Sequence, residues 1–427
     1  MRSERPSAYI GIDLGSSACK LIAIDQDSHI IISQRIIIED NATEQNPEHQ
    51  WQTVLKGLEQ LIPHCSDYQL KAICVDATSG SVMLTNEQGR PITPILMYND
   101  NRAIEQSLRI ARIAPDNTGA QGPTSGLAKL CYFQQQTKTT DYQLLHQADW
   151  INFKLGAPLG ITDENNALKT AYDPVKRHWP SWLNQIINPK VLPSVVPAGK
   201  KIGRLSPALC QHFNIEEAPD IIAGTTDSIA GVLATGINKI GQAVTSLGST
   251  LTIKLISDKP IFKAQQGIYS HRLGQHWLIG GASNTGGAVL KHFFTSQELA
   301  ELSQQIDIYQ PTEDYYPLLN AGERFPINDP TLQPRLTPRS KSDIAFCHSL
   351  LQSITNIELL AYQALQIAGA SKVSSIDTVG GGASNAAWLA IRQHTLKIPI
   401  SIPTYTEAAY GSARIAQGKL ITPSDEN

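Results

Sequence analysis

Apolar and polar positions alternate over short runs at the head of the chain. Ala8 to Asp13, Ala18 to Asp25 and Ile30 to Ile38 are β-rich and separated by Gly15-Ser16 and Asp27-Ser28, which predicts a three-strand antiparallel meander. The period then changes. Trp51, Val54, Leu55, Leu58 and Leu61-Ile62 recur at helical spacing behind Asn46-Pro47-Glu48 and stop at Pro63, which predicts a capped helix. Leu70 to Val75 returns as an apolar strand and opens into the polar loop Asp76-Ala77-Thr78-Ser79-Gly80-Ser81.

The second half repeats this order. Ile221-Ile222-Ala223-Gly224 leads into a helix-like Asp227 to Thr235, and a second meander follows over Gln242 to Ile256 and Gly267 to Ile279. Leu350 to Ala368 has helical periodicity. Ile376 to Val379 is a strand feeding Gly380-Gly381-Gly382, after which Ala383 to Thr395 is helical. The Pro-rich stretch from Asp307 to Arg339 reads as an irregular surface excursion. A meander in each half, in a chain long for one core, predicts two α/β domains, 8–230 and 231–423.

Composition narrows the partners. A net charge of −3 with 17% charged and 41% hydrophobic residues is that of an ordinary globular protein and leaves no basic signature for nucleic acid. Six scattered cysteines without a CxxC pair indicate neither a zinc site nor a disulfide framework, and a reducing cytoplasm is the expected compartment. The polar start and Asp13 argue against a signal peptide. No apolar run approaches about 18 residues, so no membrane span is expected.

The candidate chemistry lies at the turns. Asp13-Leu14-Gly15-Ser16-Ser17 and Ser246-Leu247-Gly248-Ser249-Thr250 are the same phrase used twice: a strand enters a Gly-hydroxyl-hydroxyl turn and another leaves it, so N–H groups and hydroxyls converge where an anion could sit. Glycine also serves any tight hairpin. Asp13, at a strand end beside the first turn, could hold Mg2+ against phosphates or be an ordinary turn residue. Asp227, in Gly224-Thr225-Thr226-Asp227-Ser228, sits where a helix begins. There the helix N-terminus would stabilise its anion and let it accept a hydroxyl proton; the bland alternative is an N-cap. Asp76 reads as a cap or turn residue, and Thr78 and Ser79 as hydroxyl contacts for a polyol. In Gly380-Gly381-Gly382-Ala383-Ser384-Asn385, with Trp388 one turn on, the glycines admit a flat nucleoside close to the backbone, and the indole could pack near the base.

With these residues in place the chain resembles the FGGY carbohydrate kinases, of the actin, Hsp70 and hexokinase superfamily. The matching segments are Tyr9 to Ile24, Asp76 to Arg102, Gly224 to Gly231, Ser246 to Thr250, and Gly380 to Trp388 followed by Glu407-Ala408-Ala409-Tyr410-Gly411, the last pair read as the adenosine motif. The resemblance implies two ribonuclease-H-like (actin-like ATPase) domains with a central cleft, sugar side first and nucleotide side second, closing on the sugar. It implies ATP and Mg2+ as cofactors. Asp227 would be the catalytic base and Asp13 the metal site. Asp13, Thr78, Ser79, Asp100 and Asp227 would face the sugar; Gly15, Ser16, Ser17, Gly248, Ser249, Thr250, Gly381, Gly382, Asn385 and Trp388 would hold the nucleotide. The chain is most similar to a compact ribulose or xylulose kinase-like group. Where bacterial xylulokinases have a Met-His pair, it has Ser79-Gly80, which favours D-ribulose over D-xylulose, with other polyols next and an actin-like ATPase without sugar kinase activity as the rival of another class. Partners are expected to be a small sugar and ATP, with no nucleic acid and no membrane, in a monomer or homodimer.

Overall fold

Ala8, Ile10, Ile12 and Leu14, which share one face of the strand Ser7–Leu14, are all fully buried, as the period of two demands of a face turned to the core. In a computed structural model that describes residues 5–39 and 42–420, this strand pairs antiparallel with Ala18–Asp25, which pairs with Ile30–Ile37. The helix Pro47–Leu61 starts where the sequence puts it. The Asn46 side chain accepts from the Glu48 and His49 N–H groups, Pro47 occupies the first turn, and Trp51, Val54, Leu58 and Leu61 face the core. The chain then returns as Gln69–Ala77, parallel to Ser7–Leu14 on its other side. Asp220–Ile222 adds a second parallel strand beside it and Lys201–Arg204 an antiparallel edge.

Contacts gather the chain into two units. Among the described residues, the first holds those up to 236, 272–274 and 405–420, and the second holds 237–271 and 275–404. The chain therefore comes back to the first unit after completing the second, a return that a split at 230/231 does not contain. The reason is close packing: the helix Ala408–Ala416 lies so near the first strand that a Cβ on Gly11 would stand 1.9 Å from the Ala409 carbonyl oxygen. Gly411 meets the helix Asp227–Ala234 as tightly, with 1.8 Å to the Ala230 oxygen. Smaller sheets, formed by 44–45, 95–96, 82–85 and 143–146 and by 161–163 and 194–196, complete this unit.

The second unit repeats the plan. Gln242–Leu247 and Leu251–Ser257 form an antiparallel pair, His276–Ala282 continues it, and Ser375–Val379 and Ile400–Ser401 add parallel strands on the far side of Gln242–Leu247. The long helix Asp343–Ile367 is apolar enough to cross a membrane by length and composition, yet it lies mostly buried in this unit's core. Its Glu358, fully buried, takes two hydrogen bonds of 2.7 Å from Arg392. Thr378 on Ser375–Val379 also receives Arg392, and Thr245 on Gln242–Leu247 donates to Glu358. Thr245 and Thr378 are register partners, so the buried pair pins the two strands against each other. The Pro-rich stretch 307–339 is irregular as expected but is not confined to the surface: Tyr315, Tyr316, Leu318 and Phe325 are buried in the core.

Candidate active site

Three carboxylates come together at one end of the first sheet. Asp13 and Asp76 are direct partners in the parallel register of Ser7–Leu14 and Gln69–Ala77. Ala77 bridges Thr226, so Asp227 emerges beside them at the start of its helix. Parallel strands deliver their C-terminal ends to one edge, where α/β sheets place their ligands. Asp76 was not legible as part of this set. It lies within the strand, fully buried, rather than capping a turn. Its Oδ2 accepts from Ser412 at 2.5 Å, and its Oδ1 is buried without a hydrogen-bond partner.

Crowding and burial set the electrostatics. Burial, then the Asp227 charge, raise the Asp13 carboxyl to about 6, against the pull of Lys20. Burial and the facing Asp13 push Asp76 far above the usual carboxylate range. Asp227 Oδ1 accepts from the Ser228 N–H at 2.6 Å. Burial nonetheless raises its pKa, with the Ser228 N–H and Lys169 opposing, so the helix start stabilises the anion less than burial disfavours it. Three acids that resist ionising together form a site short of positive charge, as a cation-binding position would be.

Around the acids the sugar-side residues divide. The Thr78 hydroxyl, 5% exposed, is turned inward: it donates to Gln147 Oε1 at 2.7 Å and lies 2.5 Å from Ser81 Oγ. Asp100 is also turned inward, 3% exposed, and bound by Arg102 at 2.8 to 3.0 Å. Burial would raise the Asp100 pKa, but the Arg102 hydrogen bonds outweigh it and hold the carboxyl below its ordinary value. These two side chains are spent on internal partners, whereas Ser79 is half-buried. A relay of side chains joins Thr78 to the first hairpin. Thr78 donates to Gln147, Gln147 to Gln50 at 3.1 Å, Gln50 to Gln45 at 2.6 Å and Gln45 to the Ser16 carbonyl at 3.0 Å. Lys129, fully buried, donates to the Gly80 and Met97 carbonyls at 2.8 and 2.6 Å, and burial lowers its pKa to about 7. Neither the glutamines nor Lys129 carries a motif; only tertiary contact identifies them.

The nucleotide-type residues of the second unit line a cavity of about 730 Å3, with Gly248, Ser249, Gly381, Gly382, Asn385 and Trp388 on its wall. Gly380 has φ +86° and lies where a Cβ would stand 2.8 Å from the Leu247 backbone; at Gly382 a Cβ would meet the Trp388 ring at 2.6 Å. Neither Gly15 nor Gly248 takes a left-handed φ, so the two hairpins do not need glycine for their backbone angles. Trp388 differs from expectation. It is 1% exposed and donates its indole N–H to Thr355, so the ring packs in the core beneath Gly382 and meets the cavity only as part of its wall. Asn385 caps its helix through the Trp388 N–H and donates to Ser303. The segment Glu407 to Gly411, read with the adenosine motif, belongs instead to the first unit, where Glu407 pairs with Lys20 and the following helix supplies Ser412 to Asp76.

The sequence and fold have known counterparts. Residues 8–234 match the N-terminal domain of the FGGY family of carbohydrate kinases and residues 243–417 its C-terminal domain. A xylulose kinase of Staphylococcus xylosus is 23% identical over 95% of this chain and 90% of its own length. A gluconokinase of Bacillus subtilis is 23% identical over 97% of this chain and 88% of its own. The crystal structure of a xylulose kinase from Rhodospirillum rubrum shares the fold with a TM-score of 0.84 at 18% identity, covering 96% of this chain and 89% of that one. Both halves of the chain, in order and nearly end to end, thus belong to the FGGY family of carbohydrate kinases, which are ATP-dependent sugar kinases.

Proposed function

We propose that this kinase phosphorylates D-ribulose at its 5-hydroxyl, with Asp227 as general base. The observation that carries the reading is the meeting of Asp13, Asp76 and Asp227 at the ends of neighbouring strands, beside a loop that offers Ser79-Gly80 and no bulky side chain. Asp227 accepts the hydroxyl proton as the sugar oxygen bonds to the γ-phosphorus of ATP, the bond from that phosphorus to the β–γ bridging oxygen breaks, and ADP leaves. Phosphoryl transfer asks mainly for positioning and charge stabilisation. Ser16 and Ser17 in the first unit's hairpin and Ser249 and Thr250 in the second unit's, beside Gly15 and Gly248, are the polar groups that each unit offers to a phosphate, and the cavity beside Gly381 and Gly382 suits the adenosine.

The acid set fits Mg2+: Asp76 Oδ1 is buried without a hydrogen-bond partner, and Asp13 and Asp76 each have their pKa raised by neighbouring carboxylates. Asp13 would hold the ion, with Asp76 behind it. When bound, such an ion neutralises charge on the phosphates. The chain's own residues do the rest: Asp227 moves the proton, and the hydrogen bonds of Thr78 to Gln147 and of Lys129 to the Gly80 carbonyl hold the loop that carries Ser79.

D-Xylulose is the second reading, favoured by the relatives named xylulose kinase. The two ketopentoses differ at C3, where one hydrogen bond gained or left unpaired is worth about 1 kcal/mol or somewhat more. Specificity constants at saturating MgATP decide between them. D-Ribulose is expected ahead by roughly tenfold; equal constants, or xylulose ahead, would remove the ribulose assignment and leave the family standing.

A further inference from the structure

The Ser79-Gly80 pair leaves the sugar loop without a side-chain donor at position 80, yet the space beside Gly80 is filled. Lys169, in the turn Ala167–Thr170, runs its stem past Gly80: a Cβ there would stand 3.0 Å from Lys169 Cδ and 3.3 Å from the Thr124 carbonyl oxygen. A bulky residue at 80 and Lys169 in this position exclude each other. The Lys169 ammonium donates to the Ser79 carbonyl at 3.0 Å, and its charge is felt at Asp227, where it opposes the rise that burial causes.

The turn that carries Lys169 is tied down at both ends. Asn165 donates to Thr225 Oγ1 at 3.0 Å and Asn166 to the Thr225 carbonyl at 3.4 Å, two residues before Asp227. Asp163 accepts from the backbone N–H groups of Asn165 and Asn166 at 2.9 and 3.0 Å. Thr170 lies 3.0 Å from His146 Nε2. The turn is therefore built against both the sugar loop and the strand end that presents the base, and a half-buried ammonium is placed by the same scaffold.

We propose that Lys169 supplies, from a distant part of the chain, the donor that position 80 lacks: its ammonium orients the sugar beside Ser79. The inference rests on the sugar-kinase reading and adds a positioning residue to it. A charge-assisted hydrogen bond is roughly twice as strong as a neutral one, and its gain falls on sugar binding.

The experiment compares wild type, Lys169→Met, Lys169→Gln and Lys169→Arg for phosphorylation of D-ribulose and D-xylulose with MgATP, with ADP binding and a thermal melt to certify folding. Lys169→Met is expected to raise the sugar KM about tenfold while the ATP KM stays. Lys169→Gln, which keeps a donor without the charge, should raise the sugar KM less, and Lys169→Arg should restore it. A folded Lys169→Met with the wild-type sugar KM, or with an ATP KM raised as much as the sugar KM, overturns the role of Lys169 alone. A wild-type enzyme that phosphorylates neither sugar overturns the ketopentose reading beneath it.

Discussion

The two sheets share an order over five strands and have opposite chemistry. The first unit runs 220–222, 69–77, 7–14, 18–25 and 30–37, with 201–204 outside 220–222, and the second runs 400–401, 375–379, 242–247, 251–257 and 276–282, with 269–273 outside 276–282. In the first, the parallel register brings Asp13 opposite Asp76; at the matching place in the second, Ser246 stands opposite Val379 and the chain runs on into glycines. One ion pair of the second unit lies instead in its core, where Glu358 and Arg392 neutralise each other, and Lys291 is a charged residue on its cavity wall. One frame thus offers two kinds of edge. Carboxylates that resist shared ionisation suit a cation and a proton transfer; bare backbone and hydroxyls suit phosphates and a flat nucleoside.

The sharpest way to break this comparison is at Asp227. Asp227→Ala should lower sugar phosphorylation by about 10² to 10⁴-fold while ADP still binds; turnover near wild type, measured by coupled ADP release, would deny the first unit its chemical role. A smaller effect of opposite kind is expected from Gly382→Ala. Its Cβ would press on Trp388 and Leu247 at 2.6 and 2.8 Å, distorting the cavity wall, so the ATP KM should rise roughly tenfold with the sugar KM unchanged, since overpacking of this kind costs about 1–3 kcal/mol. If the sugar KM moves instead, the division of labour between the edges fails.

The smallest effect concerns stability. The folded Asp13 carboxyl titrates at about 6 rather than at its ordinary 3.8, so the stability linked to this group is greatest below the ordinary value and is lost as pH rises through about 6. Above that pH the metal-free fold carries a charge it disfavours. Asp13→Asn should therefore melt about 1–3 °C higher than wild type at pH 8 in EDTA, and equal to it near pH 4, while losing Mg2+-dependent turnover. A lower melting temperature at pH 8 would show that Asp13 is a structural residue and not a strained functional one.

Much of this was legible in advance because its causes are local. The meanders announce themselves by alternation and turn residues, and the helix Pro47–Leu61 by Asn46 and Pro47. Asp13 and Asp227 each stood at the end of an apolar run. Asp76 stood at the end of one too, yet its polar neighbours made it look like a turn. Nothing in the run 70–75 says that it pairs in parallel with 7–14 at a register that sets Asp76 against Asp13. Thr78 and Asp100 had the right chemistry for a sugar and were turned inward, because Gln147 and Arg102 reach them from elsewhere in the chain.

The sequence by itself determined two α/β repeats, two hydroxyl-bearing hairpins, a glycine-rich loop and two acids, since strand period, helix caps and turn chemistry act within a few residues. Only the tertiary structure decided that the acids number three, that Ser412 returns from the far end of the chain to hold one of them, and that Trp388 is core. It likewise decided that Lys129 and Lys169 brace the Ser79-Gly80 loop. The physical reason is that burial and strand register are set by contacts between distant segments. A carboxylate's charge, or a lysine's partner, depends on what those contacts bring beside it.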